Sequence, residues 1–486
     1  MIPAPTNEID IVAELPDIAD DCFDDLQYPD LVSDGKTVRA VSTARNLKAL
    51  LDFCGLVACH NQMNMENMLV RHDGAVVADS LESVRSMLIS QSQVSGLPKA
   101  AIDDHLAAIC ERAAFHPVKK WLDDGDGWDG QKRVDAVINC LKTKNPALTS
   151  IVMRKWLTGV VASLYEPEFR SKLIPVLQGE QSWMKSAFIE RMAKVSDGAF
   201  LEGAELNPDN KDSVLSCIKS WIVELGELER STKNSQGGLK ACITKSVDTV
   251  RPPYGRTDIK KPRQTHFIAS VNGDAFLKDD TGSARYAVLA MTSAPDMDTL
   301  NDLLGWHWSE GRLNQFNPDN LRQFWLEIKA DYDAGKGWML TKDELKQTTA
   351  INADFQDKGT WYQWAYERFA GNYDSTVGDW LMAADICARY DLGRGNTAKL
   401  GRALTMLANE RHIKLKKGSG NRTYYLVNHN ADELMNNESL NDEPSDDDFS
   451  SEPFSDSDWL FFRASCLSLF FFFAPSVPSE PTVSLY

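Results

Sequence analysis

The stretch that most constrains this chain is Leu173–Ser186, which reads LIPVLQGEQSWMKS. A short apolar run is followed by a glycine, a polar turn, and a lysine and serine that open a helical pattern. That order specifies strand, loop and helix in succession. Two more apolar runs lie downstream, Trp221–Leu225 (WIVEL) and His266–Val271 (HFIASV). Runs this short, separated by helix-like segments such as Ser186–Lys194, read as buried strands of an α/β core with some parallel pairing. With 486 residues, of which 43% are apolar and 25% charged, the chain has material for several domains.

The flanks organise around that core. Residues 1–40 read as a loose acidic arm, and residues 41–115 as a small α or α+β domain. Within it, Asn46–His60 has helical spacing, Asn67–Ala78 reads as two strands around an Asp-Gly turn, and Leu81–Ala114 is helix-like. Residues 116–330 hold the core domain, with helices expected at Val134–Leu141 and Ile151–Leu164, and 331–370 read as a helical connector. Over 371–430 come two helical patterns, Val377–Tyr390 and Thr397–Arg411, then His412–Leu415, a Gly418-Ser419-Gly420 turn and Thr423–Val427. That outline suits a winged-helix-like module. Residues 431–486 read as a disordered acidic tail with an apolar end.

Net charge is −18, which by itself argues against a nucleic-acid binder. Its distribution reverses that argument. Eleven acids and no base lie between Asp432 and Asp458, and without them the rest of the chain carries −7. The tail is expected to keep the chain soluble, to compete with DNA, or to dock a basic replication partner. The nine cysteines form no CxxC pair, so reduced thiols in a host cytoplasm are expected rather than a disulfide framework or zinc site. Met1–Val12 lacks the positive charge and apolar core of a secretory signal. Trp459–Ala474 is apolar but shorter than the about 20 residues a membrane helix needs, so no firm membrane partner is assigned.

The segment Gly179-Glu180-Gln181-Ser182-Trp183-Met184-Lys185-Ser186 approaches the phosphate-loop template GxxxxGK[ST], which sits between a strand and a helix. Gly179, Lys185 and Ser186 fit it; Met184 stands where the second glycine belongs. A helix N-terminus offers unpaired N–H groups to phosphate oxygens. Lys185 would reach the β/γ-phosphates and Ser186 would ligate Mg²⁺. Gly179, Gln181, Ser182, Trp183, Met184, Lys185 and Ser186 are therefore the candidate nucleotide contacts. Further along, Glu224 ends an apolar strand and Glu227 lies three residues on. One carboxylate can hold the metal's water shell and the other can orient an attacking water. Asn272, just past HFIASV, is placed to sense a γ-phosphate, and Arg285 supplies a guanidinium for transition-state charge. Each has a plainer reading alone, as a solvated acid or a surface arginine. Their order and spacing favour a single site.

These segments, together with FHPVKKWLDDGDGWDG, VDTVRPPYGR, PRQTHFIASVN and FLKDDTGSARYAVLAM, resemble the virulence-associated E family. These phage and mobile-element ATPases are similar to superfamily 3 helicases. The resemblance spans about residues 115–330. It implies an AAA+-like P-loop NTPase fold, ATP and Mg²⁺ as cofactors, and a DNA helicase or replication ATPase. It also implies a homo-oligomeric ring, a hexamer, in which Arg285 acts on the neighbouring subunit's nucleotide. The family usually has GxQGxGKS, and here Ser182 and Met184 replace the two inner glycines. That departure leaves two other readings open: a DNA-binding initiator or scaffold without turnover, and a nucleotide-dependent switch in mobile-element interference.

Two basic regions are candidate DNA contacts. Lys245, Arg251, Arg256, Lys260, Lys261 and Arg263 surround Tyr254, a loop composition suited to single strands, where charge follows phosphate and an aromatic stacks on a base. Between Arg389 and Arg422 lie nine bases and two acids. Lys399 and Arg402 on the second helix would face duplex DNA, and Lys416 and Lys417 on the wing its backbone. The plainer readings are a solvated basic loop and a protein-contact module.

Overall fold

The computed structural model describes residues 26–72, 81–226, 241–250, 258–273, 275–277, 285–371, 373 and 378–427. The chain divides into two compact units, Met1–Asp357 and Lys358–Tyr486.

The first unit opens with paired strands β1 (Leu31–Ser33) and β2 (Val38–Ala40). Helix α1 (Ala44–Phe53) starts where the Thr43 side chain accepts the Asn46 N–H. The helix expected over Asn46–His60 ends at Phe53, because Gly55 takes the left-handed φ of +67°. The remainder is a strand, β3 (Leu56–Asn61), paired antiparallel with β4 (Glu66–Arg71). Their turn is residues 62–65; β4 is the first of the two strands expected over Asn67–Ala78, and the Asp-Gly at 73–74 with the second lies outside the described residues. The long helical pattern that follows splits at Pro98 into α2 (Leu81–Val94) and α3 (Ala100–Arg112). The two-residue β5 (Ala114–Phe115) joins β3 in parallel.

Helices α4 (Pro117–Asp123), α5 (Val134–Asn139) and α6 (Pro146–Ala162) lead to the main sheet. Helix α6 begins earlier than apolar spacing indicated, because Asn145 caps it and Pro146 takes the first position. Then follow β6 (Ile174–Gln178), α7 (Lys185–Ala193), β7 (Phe200–Ala204), α8 (Lys211–Ile218), β8 (Ile222–Gly226), the hairpin β9 (Val247–Val250) and β10 (Ile259–Pro262), β11 (His266–Val271), β12 (Tyr286–Ala290) and a second hairpin, β13 (Trp306–Ser309) and β14 (Arg312–Gln315). Strands β6, β7, β8, β11 and β12 form one sheet in the order β12-β6-β11-β8-β7, every pair parallel. Successive side chains feed opposite cores. Leu177, Ile222, Ile268, Ala287 and Leu289 enter the core built with α5–α7 and the helix Pro318–Asp333. Val176, Val223, Ala269 and Val288 enter the other, with Phe276 and Phe355. Met63, from the β3–β4 turn, is buried in the first of these cores and joins the N-terminal sheet to it.

Strand β12 is an edge, and an open edge needs covering. The fully buried Asn352, at the end of the helix Lys342–Asn352, does so. Its Nδ2 donates to the Tyr286 carbonyl at 2.7 Å and its Oδ1 accepts the Val288 N–H at 3.2 Å.

In the second unit the helix Thr360–Phe369 packs into the local core with Trp361, Trp364 and Phe369, so it is part of this unit rather than a connector. Strand β15 (Asp379–Leu381) opens the stretch expected to be wholly helical, and the helix Ala383–Arg389 follows. After the helix Thr397–Asn409 come β16 (Leu415–Lys417) and β17 (Thr423–Val427), in the antiparallel order β15-β17-β16. Among the described residues no helix is long and apolar enough to cross a membrane.

The edge cover can be tested by stability. Asn352→Ala strands two buried backbone groups, which should cost about 2–4 kcal/mol. Urea unfolding checks this, with the slope of the transition unchanged.

Candidate functional site

In a parallel sheet, side chains at the carboxyl ends of neighbouring strands share one crevice. Here β11 lies between β6 and β8, so the loop after β6, the upper part of β8 and the end of β11 meet. The loop is tied in place by its own backbone: Gly179 N–H donates to the Val271 carbonyl and Met291 N–H to the Gln178 carbonyl. The Trp183 ring lies against Gly179, where an added Cβ would come within 2.6 Å of it. Ser182 and Met184 both have left-handed backbones, with φ of +69° and +49°. Side-chain-bearing residues resist that region by about 1–2 kcal/mol each. The backbone at both positions therefore follows a course suited to glycine. Gln181 and Met184 are exposed, Met184 by 49%.

Met184 caps the N-terminus of α7, and Lys185 and Ser186 are the helix's first residues. The Lys185 side chain is buried, with Nζ donating at 2.8 Å to each of three acceptors: the Gly179 carbonyl, the Glu180 carbonyl and Asn272 Oδ1. Burial lowers its pKa from the usual lysine value, and the charge of Glu224 pulls it back up. Ser186 Oγ donates to Glu224 Oε1 at 2.7 Å. Glu224 is fully buried, and its second oxygen, Oε2, has no hydrogen-bond partner. A buried carboxylate oxygen left over beside a serine hydroxyl suits a small hard cation that takes its remaining ligands from water and phosphate. Among the described residues no group of three or more His, Cys, Asp or Glu could hold a metal on its own. All seven described cysteines are buried.

Sequence order thus placed Gly179, Trp183, Lys185, Ser186, Glu224 and Asn272 in one crevice, and they are found there. Arg285 is elsewhere. It immediately precedes β12, whose first residue, Tyr286, is level with Ile174, while the loop follows Gln178 at the other end. A strand of that length separates the two ends by roughly 13 Å. The Arg285 Nε is buried without a hydrogen-bond partner. Glu227 lies outside the described residues. A carboxylate that sequence reading passed over, Glu202 on β7, has its pKa raised by burial and by the charges of Glu224 and Glu190, so it shares the site's field. Nothing in its FLEGA context signals this.

Residues 122–357 match the family model of the virulence-associated protein E-like domain. The chain carries a virulence-associated protein E-like domain. The matched span holds the whole main sheet and the crevice. Among solved structures, the chain is similar to the apo structure of the NrS-1 C-terminal region (305–718), at 10% identity and a TM-score of 0.42, covering 78% of this chain and 98% of that one. A second structure of that region, the A form apo structure, aligns at 12% identity and a TM-score of 0.41, with the same coverage. No curated protein matches the chain.

Within the virulence-associated protein E-like domain, the basic hairpin β9–β10 needs correcting. Lys245 and Lys260 are exposed, as a DNA contact requires. Arg251, Tyr254 and Arg256 lie outside the described residues. Lys261 and Arg263 are interior. Lys261 Nζ donates to the carbonyls of Met63, at 2.6 Å, and Ile218. Arg263 donates to the Cys242 carbonyl and forms a buried ion pair with Asp248 at 2.6 Å. Both side chains are buried, so neither is offered to a phosphate. In the second unit, Arg402, Lys416 and Lys417 are exposed and Lys399 is half-buried.

Two outcomes follow. Ser182→Gly and Met184→Gly relieve left-handed strain, offset by glycine's greater freedom when unfolded. Each should stabilise the protein by about 0.5–1 kcal/mol, whereas Gly179→Ala should destabilise it through Trp183; thermal melts compare them. Burial lowers the Lys261 pKa to about 7 in the folded protein. The unfolded chain, with lysine near 10.4, binds the extra proton between those values. Stability should therefore rise as pH climbs from about 7 toward 10, and Lys261→Met should flatten that rise in urea titrations.

Proposed function

We propose that this protein is an ATP- and Mg²⁺-dependent DNA helicase or replication ATPase of a phage or mobile element, built on a P-loop NTPase core. The observation that carries the reading is the pairing of Ser186 Oγ with the buried Glu224, whose second oxygen has no partner. The sheet order, the left-handed backbone at Ser182 and Met184, and the resemblance to the virulence-associated E family support it.

In this reading the first-turn N–H groups of α7 cradle phosphate oxygens. Lys185 exchanges its two loop carbonyls for phosphate oxygens without moving to a new pocket. Ser186 and Glu224 would hold Mg²⁺, which supplies charge neutralisation at the phosphates. Asn272 is freed from Lys185 as the lysine turns toward phosphate, and its amide then faces the terminal group. Glu227 orients the attacking water. Arg285, at the far end of its own sheet, is suited to complete the crevice of another copy, hence the ring. The exposed Lys245 and Lys260 of the hairpin, and a winged-helix reading of the second unit, provide the DNA contacts.

Met184 favours a second reading. Its exposed side chain stands at the mouth of the loop and could hold triphosphate without permitting turnover. DNA-stimulated phosphate release separates the two. The motor reading expects measurable turnover in wild type and a loss of at least about 100-fold in both Lys185→Ala and Glu224→Gln. Absence of turnover with Mg·ATP binding retained supports the switch. A calorimetric blank with Mg·ATP in folded protein sinks both.

A further inference from the structure

We propose that the outer face of the three-stranded sheet in the second unit is a stacking surface for the bases of a single-stranded nucleic acid. This reading is independent of nucleotide turnover, and its test uses no nucleotide.

The face follows from strand alternation. Tyr425 and Val427 on β17 pack into the unit's core, as do Leu381 on β15 and Leu415 on β16. The intervening residues, Trp380, Tyr424, Leu426 and Lys416, therefore occupy the opposite face. The register sets Trp380 across from Leu426 and Lys416 across from Tyr424. Trp380 and Tyr424 are consequently diagonal neighbours on adjacent strands, roughly 7–8 Å apart at Cα. That is the scale on which adjacent bases of a stretched strand are spaced. Both rings are half-buried, whereas Leu426 between them is buried.

The rings are held in place rather than loosely displayed. Tyr424 lies against the wing backbone, where a Cβ at Gly418 would fall 2.7 Å from its Cε2. Lys416 Nζ rides 4.1 Å from the Trp380 centroid and 5.9 Å from that of Tyr424. A cation over an electron-rich face is a modest contact, readily exchanged at an exposed site. An incoming phosphate would draw Lys416 off the ring and leave the indole face to a base.

Charge selects the partner. From Arg411 to Val427 there are five bases (Arg411, Lys414, Lys416, Lys417 and Arg422) and no acid. Lys417 and Arg422 are exposed beside the platform. Flat aromatic surface beside exposed positive charge is the combination that binds single strands with little sequence preference. A duplex hides its base faces in the stack and would use only the charge.

Fluorescence anisotropy on the full chain without nucleotide, with labelled oligo-dT and a blunt duplex of equal length as probes, tests this. Trp380→Ala and Tyr424→Ala should each weaken oligo-dT binding roughly tenfold, with little change for duplex and an unchanged salt dependence. Lys417→Gln should weaken both probes and lower the salt slope by about one. Trp380→Phe, which keeps a stacking ring and the fold, should stay within about threefold of wild type on oligo-dT. Equal losses on both probes, or oligo-dT binding unmoved by Trp380→Ala and Tyr424→Ala, would overturn the proposal. If Trp380→Ala melts early, Trp380→Leu against Trp380→Phe decides the matter. Equal oligo-dT affinity in that pair counts against stacking.

Discussion

The site depends on one topological fact, the placement of β11 between β6 and β8. Without it, Glu224 and Asn272 would stand on strands too far from the loop to meet Lys185 and Ser186. With it, one serine–carboxylate bond and one lysine–amide bond, at 2.7 and 2.8 Å, link three strand ends. The Gly179–Val271 backbone bond ties two of these elements again, the loop after β6 and the end of β11. The sheet can support this because both its faces are covered and its strands are all parallel. The same topology sends the start of β12, and Arg285 with it, to the opposite end. The Arg285 guanidinium therefore does not belong to the crevice of its own sheet.

Loop shape and loop sequence are separable here. Ser182 and Met184 retain backbone angles that glycine adopts freely and other residues resist. Strain of this kind persists only where the surroundings over-determine it. Trp183 against Gly179, Met291 bonded to Gln178 and Lys185 bonded to two loop carbonyls are those surroundings. The substitutions therefore change what lines the mouth of the loop more than the path of its backbone.

Legibility in the sequence followed burial. HFIASV was readable to the residue, and LIPVL and WIVEL to within one, because fully buried parallel strands are continuous apolar runs. Strand β7 was missed: FLEGA lies on an edge, includes a glycine and is largely exposed, so nothing periodic marks it. The helix read across Asn46–His60 failed at Gly55, where an apolar pattern continued through a change from helix to strand. Glu224 and Asn272 were legible because they sit at the ends of apolar runs, and Lys185 and Ser186 because they open the helical pattern that follows one. The position of Arg285 relative to the loop was not, since strand order is invisible to local pattern.

Charge was the least legible property, and the reason is instructive. Lys260 and Lys261 are adjacent and identical in type, yet one is exposed and the other buried, because strand alternation turns them to opposite faces. Lys261 binds carbonyls from the β3–β4 turn and from α8, so the root of the hairpin is fastened to the N-terminal sheet and to the core at once. A second tie, Lys219 to Glu66 at 2.7 Å, runs across the same junction. Part of the hairpin's positive charge is therefore structural, and it fastens the hairpin's root to the core. The wing lacks any such internal carboxylate over Arg411–Val427. Its charge remains available at the surface, beside two aromatic rings that the local core leaves outside. Two basic segments of similar composition thus differ in where their charge lies, one turning Lys261 and Arg263 into the interior and the other keeping Lys416, Lys417 and Arg422 at the surface.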